Sequence, residues 1–225
     1  MPSLLVTGAN RGLGLEFVRQ YAAKGWRIIA TCRSLNEAGD LRAVDGDIRI
    51  EQLDMGDLPA IASFGERLAG APLDLLVANA GTWGPGRIES AADGEGWLDA
   101  FRVNTVAPVL LARAVRAGLK AAGGTFVAIS SKMGSIEDNM SGGYIAYRSS
   151  KAALNAAVRS VAIDWADDGI VAAVLHPGWV QTRMGGQAAP LTPEESVAGM
   201  RHVIERLGPQ DTGGFFDYSG EALPW

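Results

Sequence analysis

Short apolar runs bounded by turn residues alternate along the chain with segments whose apolar positions return every three or four residues. The runs at 4–7, 27–31, 48–53, 73–78, 125–130, 170–175 and 215–218 read as seven strands. Helical periodicity fills 15–24, 37–43, 58–68, 97–121, 145–165 and 193–207. Residues 127–129 and 171–175 are apolar throughout rather than alternating, which is the pattern of strands covered on both faces. The order of elements therefore predicts an α/β fold, a doubly wound, seven-stranded parallel sheet with helices on both faces. Nothing repetitive, low in complexity or linker-like divides residues 1–225, so one domain is expected. The longest stretch without a regular pattern, 178–192, contains Gly185, Gly186 and Pro190 and reads as a loop covering a site.

Charge and composition narrow the partners. A formal charge of −5, with no run of Lys or Arg, argues against nucleic acid. The lone cysteine, Cys32, can form no internal disulfide, and a reducing cytoplasmic setting is expected. Apolar runs fall short of the ~18 residues of a membrane span, and the first residues lack the features of a secretory signal. Neither His176 nor His202 stands in metal-ligand spacing, so no metal is expected. Asp167-Asp168 reads as a helix end and Glu194-Glu195 as a helix start, where acidic side chains suit the dipole, rather than as paired catalytic acids.

The stretch from Thr7 to Gly14, reading Thr-Gly-Ala-Asn-Arg-Gly-Leu-Gly, lies between the first strand and the first helix. Gly8 allows a tight turn, Gly12 lets backbone approach a pyrophosphate, and Gly14 lets helix and strand pack without a Cβ between them. Free N–H groups at the helix start favour an anion. The second strand ends Ala30-Thr31-Cys32-Arg33, with no carboxylate to bond a ribose 2′-hydroxyl. Arg33, with Arg11 from the glycine turn, favours the 2′-phosphate of NADP.

Tyr147 and Lys151 lie four residues apart, on one face of a predicted helix, where a phenol and an ammonium can share proton chemistry. Ser131 follows a strand at the sheet edge where ligands bind in open α/β folds. Asn104 falls inside a long helical pattern, where it reads as a bend or a solvated residue.

Together these residues resemble the short-chain dehydrogenase/reductase family over nearly the whole chain. Thr7 to Gly14 matches its glycine motif, Asp54 its adenine-binding acid, and Asn79-Ala80-Gly81 its turn after the fourth strand. Asn104, Ser131, Tyr147 and Lys151 fall at its catalytic tetrad, and His176-Pro177-Gly178 through Thr182 at its Pro-Gly motif. Segments 131–135, 176–180, 215–218 and 223–225 look most like the C-factor and sniffer-type carbonyl reductases. The resemblance implies a Rossmann fold that binds NADP(H) through Gly8, Asn10, Arg11, Gly12, Leu13, Gly14, Arg33, Asp54, Met55, Asn79, Ala80, Gly81, Tyr147, Lys151, Pro177, Gly178, Val180 and Thr182. It implies reduction of an aldehyde, ketone or quinone, with Tyr147 as acid and Ser131 bonding the carbonyl oxygen. Lys151 would hold the nicotinamide ribose and lower the tyrosine pKa, and Asn104 would position a relay water.

Three positions depart from the pattern. Ala78 replaces a common first Asn, Arg183 replaces an acidic residue of the subgroup, and the Ser131–Tyr147 interval is longer than usual, so 135–143 is expected to bulge over the substrate. Related enzymes pair the helices predicted at 97–121 and 145–165, which makes a homodimer the expected assembly. A nucleotide-binding regulatory protein of C-factor type is the alternative function. A sugar-nucleotide epimerase shares the Tyr and Lys arrangement but needs a C-terminal substrate region for which the chain has little room.

Overall fold

The computed structural model describes residues 1–68 and 70–225. Its strands are β1 (Ser3–Thr7), β2 (Arg27–Cys32), β3 (Ile48–Gln52), β4 (Leu75–Ala78), β5 (Thr125–Ile129), β6 (Val171–His176) and β7 (Phe215–Asp217). They form one sheet in the order β3-β2-β1-β4-β5-β6-β7, every neighbouring pair parallel. Each expected strand is present, with ends shifted by at most two residues. Strand order reverses between β1, which pairs with β2, and β4, so a crevice opens beyond the C-terminal ends of β1 and β4.

Helices α1 (Gly12–Ala22), α2 (Gly39–Arg42), α3 (Leu58–Leu68), α4 (Asp93–Phe101), α5 (Ala107–Ala114), α6 (Arg116–Ala122), α7 (Ile145–Asp164) and α8 (Pro193–Arg206) supply the connections. Because strand side chains alternate, successive residues feed two cores. Leu5, Leu76, Phe126 and Ala128 pack in one, with Ile61, Leu111 and Leu154 from α3, α5 and α7. Leu4, Val6, Val77 and Val127 pack in the other, with Phe17, Val18 and Met200 from α1 and α8.

The segment expected as one helix over 97–121 is three helices. It starts earlier, at Asp93, whose carboxylate accepts from the backbone N–H groups of Glu89 and Ser90 and from the Ser90 hydroxyl. A π-helical turn at Arg102–Val106 follows α4, closed by the Ala107 N–H reaching the Arg102 carbonyl five residues back. Pro108 has no N–H to offer the Asn104 carbonyl, so an ordinary α-turn could not close there. Val115, at φ −104° and ψ 9°, then separates α5 from α6. The helix expected at 37–43 is likewise a 3₁₀ turn, Leu35–Glu37, followed by the single turn of α2.

Candidate active site

The glycine turn is fixed by hydrogen bonds to the end of β4. Thr7 Oγ1 accepts from the N–H groups of Asn79 and Ala80, at 3.1 and 3.0 Å, and the Asn79 amide donates back to the Thr7 carbonyl at 2.9 Å. Gly8 has φ +64°, and a Cβ there would lie 3.1 Å from the Ala80 Cα. At Gly14 a Cβ would overlap the Gly8 carbonyl oxygen and lie 2.6 Å from the Asn79 amide nitrogen, so helix and strand meet without a side chain between them.

Helix α1 begins with no side-chain cap and no acidic residue in its first turn. Its first N–H groups are thus left for an anion, which fits the pyrophosphate of a dinucleotide. Gly12, at φ +53°, faces the Thr182 methyl, which a Cβ would meet at 3.4 Å. Leu13 packs against the α1 core.

The end of the crevice beside β2 and β3 carries the expected arginines together with an acid, Glu37. Arg33 is exposed, and Arg11 Nη1 lies 3.3 Å from Glu37 Oε2, with both side chains about half exposed. The Asn10 amide donates to the Glu37 carbonyl at 3.3 Å. Asp54, after β3, accepts from the Gly56 N–H at 2.8 Å, and the neighbouring Met55 is buried.

At the other end of the crevice, Asn104, Ser131, Tyr147 and Lys151 converge, all buried. The reading of Asn104 as a bend is correct and that as a solvated residue is not: it lies in the π-turn with no exposure. Its oxygen accepts from the Thr82 N–H and its amide donates to the Thr82 carbonyl, both at 2.8 Å, and to Ser150 Oγ at 2.9 Å. A Cβ on Gly81 would sit 3.2 Å from Asn104 Oδ1 and 3.7 Å from Lys151 Nζ, so the absence of a side chain keeps that space open.

Lys151 donates to the Ile129 carbonyl at 2.7 Å, and burial lowers its pKa to about 8. Burial pushes the Tyr147 phenol up to about 12, a hydrogen bond with Ser131 pulling it partway back. Against the expected depression by Lys151, desolvation dominates, and what lowering there is comes from Ser131. Tyr147 is therefore a protonated phenol at neutral pH. Ser131 Oγ also accepts from the Met133 N–H at 3.1 Å. Asn155, unread in the sequence, donates to the Gly134 carbonyl at 3.4 Å and joins Ser130 at 2.5 Å, tying the turn after Ser131 to α7.

Two loops and the end of β6 border this cluster. The 178–192 loop is held by its own bonds: Gln181 N–H to the Leu191 carbonyl, Gly185 N–H to Thr182 Oγ1, and Trp179 Nε1 to the Gly185 carbonyl. At its base, the Pro177 carbonyl accepts from Ser196 at 2.6 Å, Gly178 has φ +81° against Leu191, and the buried Val180 bridges Leu191. The long interval after Ser131 forms a largely exposed loop, pinned where the Ser135 hydroxyl and the Glu137 N–H donate to the Trp225 carbonyl at 3.1 and 3.3 Å. His176, at the end of β6, is mostly enclosed, its Nδ1 lacks a partner, and burial lowers its pKa to about 4. Among the described residues, no cluster of three His, Cys, Asp or Glu could hold a metal ion, and no helix is long and apolar enough to cross a membrane.

A doubly wound sheet with an anion-ready glycine turn at one end of its crevice and a Ser, Tyr and Lys cluster at the other defines a nicotinamide-dinucleotide oxidoreductase fold. The chain belongs to the short-chain dehydrogenase/reductase family, whose model, described as short chain dehydrogenase, matches residues 3–191. Within the family it falls in the C-factor and sniffer-like subgroup. It is 42% identical to the C-signal protein of Myxococcus xanthus over 164 residues, 72% of this chain and 99% of that protein. The carbonyl reductase Sniffer of D. melanogaster superposes with a TM-score of 0.91 at 34% identity, covering 100% of both chains. An NADPH-bound carbonyl reductase from chicken fatty liver does so with a TM-score of 0.88 at 36% identity, covering 100% of this chain and 99% of the other.

Proposed function

We propose that residues 1–225 act as one unit that reduces an aldehyde, ketone or quinone to the alcohol with NADPH. The observation that carries this reading is the convergence of three buried groups, the Tyr147 phenol, the Ser131 hydroxyl beside it and Lys151 one turn along α7. When bound, NADPH supplies the hydride, and the protein supplies orientation and the proton. Ser131 bonds the carbonyl oxygen, and Tyr147 donates its proton to that oxygen as negative charge develops there. Lys151, charged below about pH 8, holds the nicotinamide ribose. Asn104 fixes Thr82 with its side chain, while its main-chain carbonyl, which Pro108 cannot bond, positions a relay water.

The uncapped start of α1 and the glycine turn bind the pyrophosphate through Gly8, Asn10, Gly12, Leu13 and Gly14. Arg11 and Arg33 bond the 2′-phosphate, while Asp54 and Met55 hold the adenine. Asn79, Ala80 and Gly81 line the middle of the crevice, and Pro177, Gly178, Val180 and Thr182 its nicotinamide end. The lone buried Cys32 supports a reducing cytoplasmic setting. Exposed Leu98, Leu110 and Ile163 on α4, α5 and α7 support a homodimer, which a monomeric mass at micromolar concentration would contradict.

The test is NADPH consumption with a panel of aldehydes, ketones and quinones, by wild type and Tyr147→Phe. Likeness to a protein called C-signal favours a second reading, in which nucleotide occupancy rather than turnover carries a signal. A cellular effect that survives Tyr147→Phe would select it.

A further inference from the structure

Trp83 belongs to none of the motifs above, yet its ring centroid lies 4.2 Å from that of Tyr147. The indole therefore packs directly on the ring of the proposed acid, at a tilt of 48°. Both neighbours of Trp83 are fixed. Thr82 is gripped through its N–H and its carbonyl by Asn104. Gly84, at φ +66°, is wedged so closely that a Cβ would meet Ala100 Cβ at 2.9 Å and Ala146 Cβ at 3.2 Å, on α4 and α7. The indole N–H reaches the Met184 carbonyl of the 178–192 loop at 3.4 Å.

Tyr144 also packs against the indole, ring centroid at 5.4 Å. Tyr144 is the one non-glycine residue with positive φ among those described, at +49°. A bulky side chain in that region is strained, and strain of this kind gathers at ligand sites. Here it turns a half-exposed ring onto Trp83, extending the aromatic surface outward from the catalytic tyrosine. Charged groups nearby are engaged elsewhere: Arg148 donates to the Gly142 carbonyl and Ser141 Oγ, and Lys132 pairs with Asp138.

The geometry points to Trp83 and Tyr144 as an aromatic shelf that selects substrates with a flat, conjugated ring beside the carbonyl over saturated ones of the same size. This rests on the carbonyl reductase reading. Ring stacking prefers offset or tilted planar partners, which a puckered ring cannot match.

The test compares benzaldehyde with cyclohexanecarbaldehyde, equal in size but flat and puckered. With NADPH, Trp83→Leu, which keeps bulk but loses the indole, is expected to lower the ratio of kcat/KM for benzaldehyde over cyclohexanecarbaldehyde by about tenfold, mainly through KM. Trp83→Phe is expected to restore most of that ratio, and Tyr144→Gly to lower it by about threefold. An unchanged ratio in Trp83→Leu, with NADPH affinity intact, overturns the shelf.

Saturation-transfer NMR of both aldehydes on the NADP⁺-loaded protein reads the shelf without turnover. A benzaldehyde signal preferred in wild type and lost in Trp83→Leu supports it even if neither aldehyde is reduced, an outcome that would count against the reductase reading alone. Equal signals for the two aldehydes in wild type contradict the shelf.

Discussion

At the glycine turn the groups offered to a ligand are main-chain N–H groups, whereas at the Tyr147 end they are side chains drawn from distant segments. Thr7, Gly8, Gly14 and Asn79 lock β1 to β4 within contacts that leave no room for a methyl group. Trp83, Ser131, Tyr144 and Tyr147 come from three stretches, joined by their own ring and hydroxyl contacts and braced by Asn104, Asn155 and the π-turn. The first arrangement suits a ligand shared by a whole family, because backbone donors read phosphate and nothing else. The second can be altered one residue at a time, which is where substrate choice resides.

The sharpest break of this contrast is Gly14→Ala. Its Cβ must displace the Gly8 carbonyl, a rigid main-chain atom, and the expected cost is about 3 kcal/mol of stability with loss of NADPH binding, read by thermal unfolding and cofactor titration. A similar small-to-larger change at the exposed Gly142, which has nothing within 4 Å, should leave NADPH binding in place despite its φ of +63°.

Next in size is an acid limb at the base of the loop. His176 is held neutral, its pKa lowered from 6.5 to about 4, so between those values the unfolded chain binds the proton and the folded one does not. Its contribution is whole above about pH 6.5 and is lost as pH falls toward 4, by about 3 kcal/mol. Urea unfolding of His176→Asn across that range should show a shallower acid decline than wild type.

Lys151 gives a smaller and opposite limb. Its pKa is lowered to about 8, so the ammonium is lost as pH rises through that value, and reductive kcat/KM should fall on the alkaline side with an apparent pKa near 8. Lys151→Arg should move that limb upward by more than one pH unit, since guanidinium does not deprotonate in this range.

The smallest effect belongs to the cofactor's outer edge. Arg33→Ala should weaken NADPH binding about tenfold and NADH binding hardly at all, read by fluorescence titration. Loss of both equally would remove the argument for NADP made from the end of β2.

The same contrast explains what could be read from the chain itself. All seven strands and the glycine turn were visible because buried parallel strands are apolar throughout and tight turns demand glycine at particular places. Tyr147 and Lys151 were legible from their spacing, which puts them on one helix face, whereas Asn104 and Ser131 join them in the sequence only through the family resemblance. The interruption of 97–121 was not, because α4, the π-turn and α5 share a helical period; the signal the sequence did carry is Pro108, which offers the Asn104 carbonyl no N–H. The loop that Trp83 opens reads in the sequence as pocket-shaping, but the contacts of Trp83 with Tyr147 and of Glu37 with Arg11 do not, because they span 64 and 26 positions and no local pattern carries them. The direction of the Tyr147 pKa shift was missed for a related reason: pairing with Lys151 is written in the sequence, while burial is not.

The central claim is that Tyr147 delivers the proton in an NADPH-driven reduction. It is tested most directly by following nicotinamide absorbance with purified wild type and Tyr147→Phe on the same aldehyde, together with NADPH affinity for both. Loss of at least about a hundredfold in kcat, with NADPH affinity kept within about twofold, is the predicted result. Turnover by Tyr147→Phe at a rate close to wild type would contradict it.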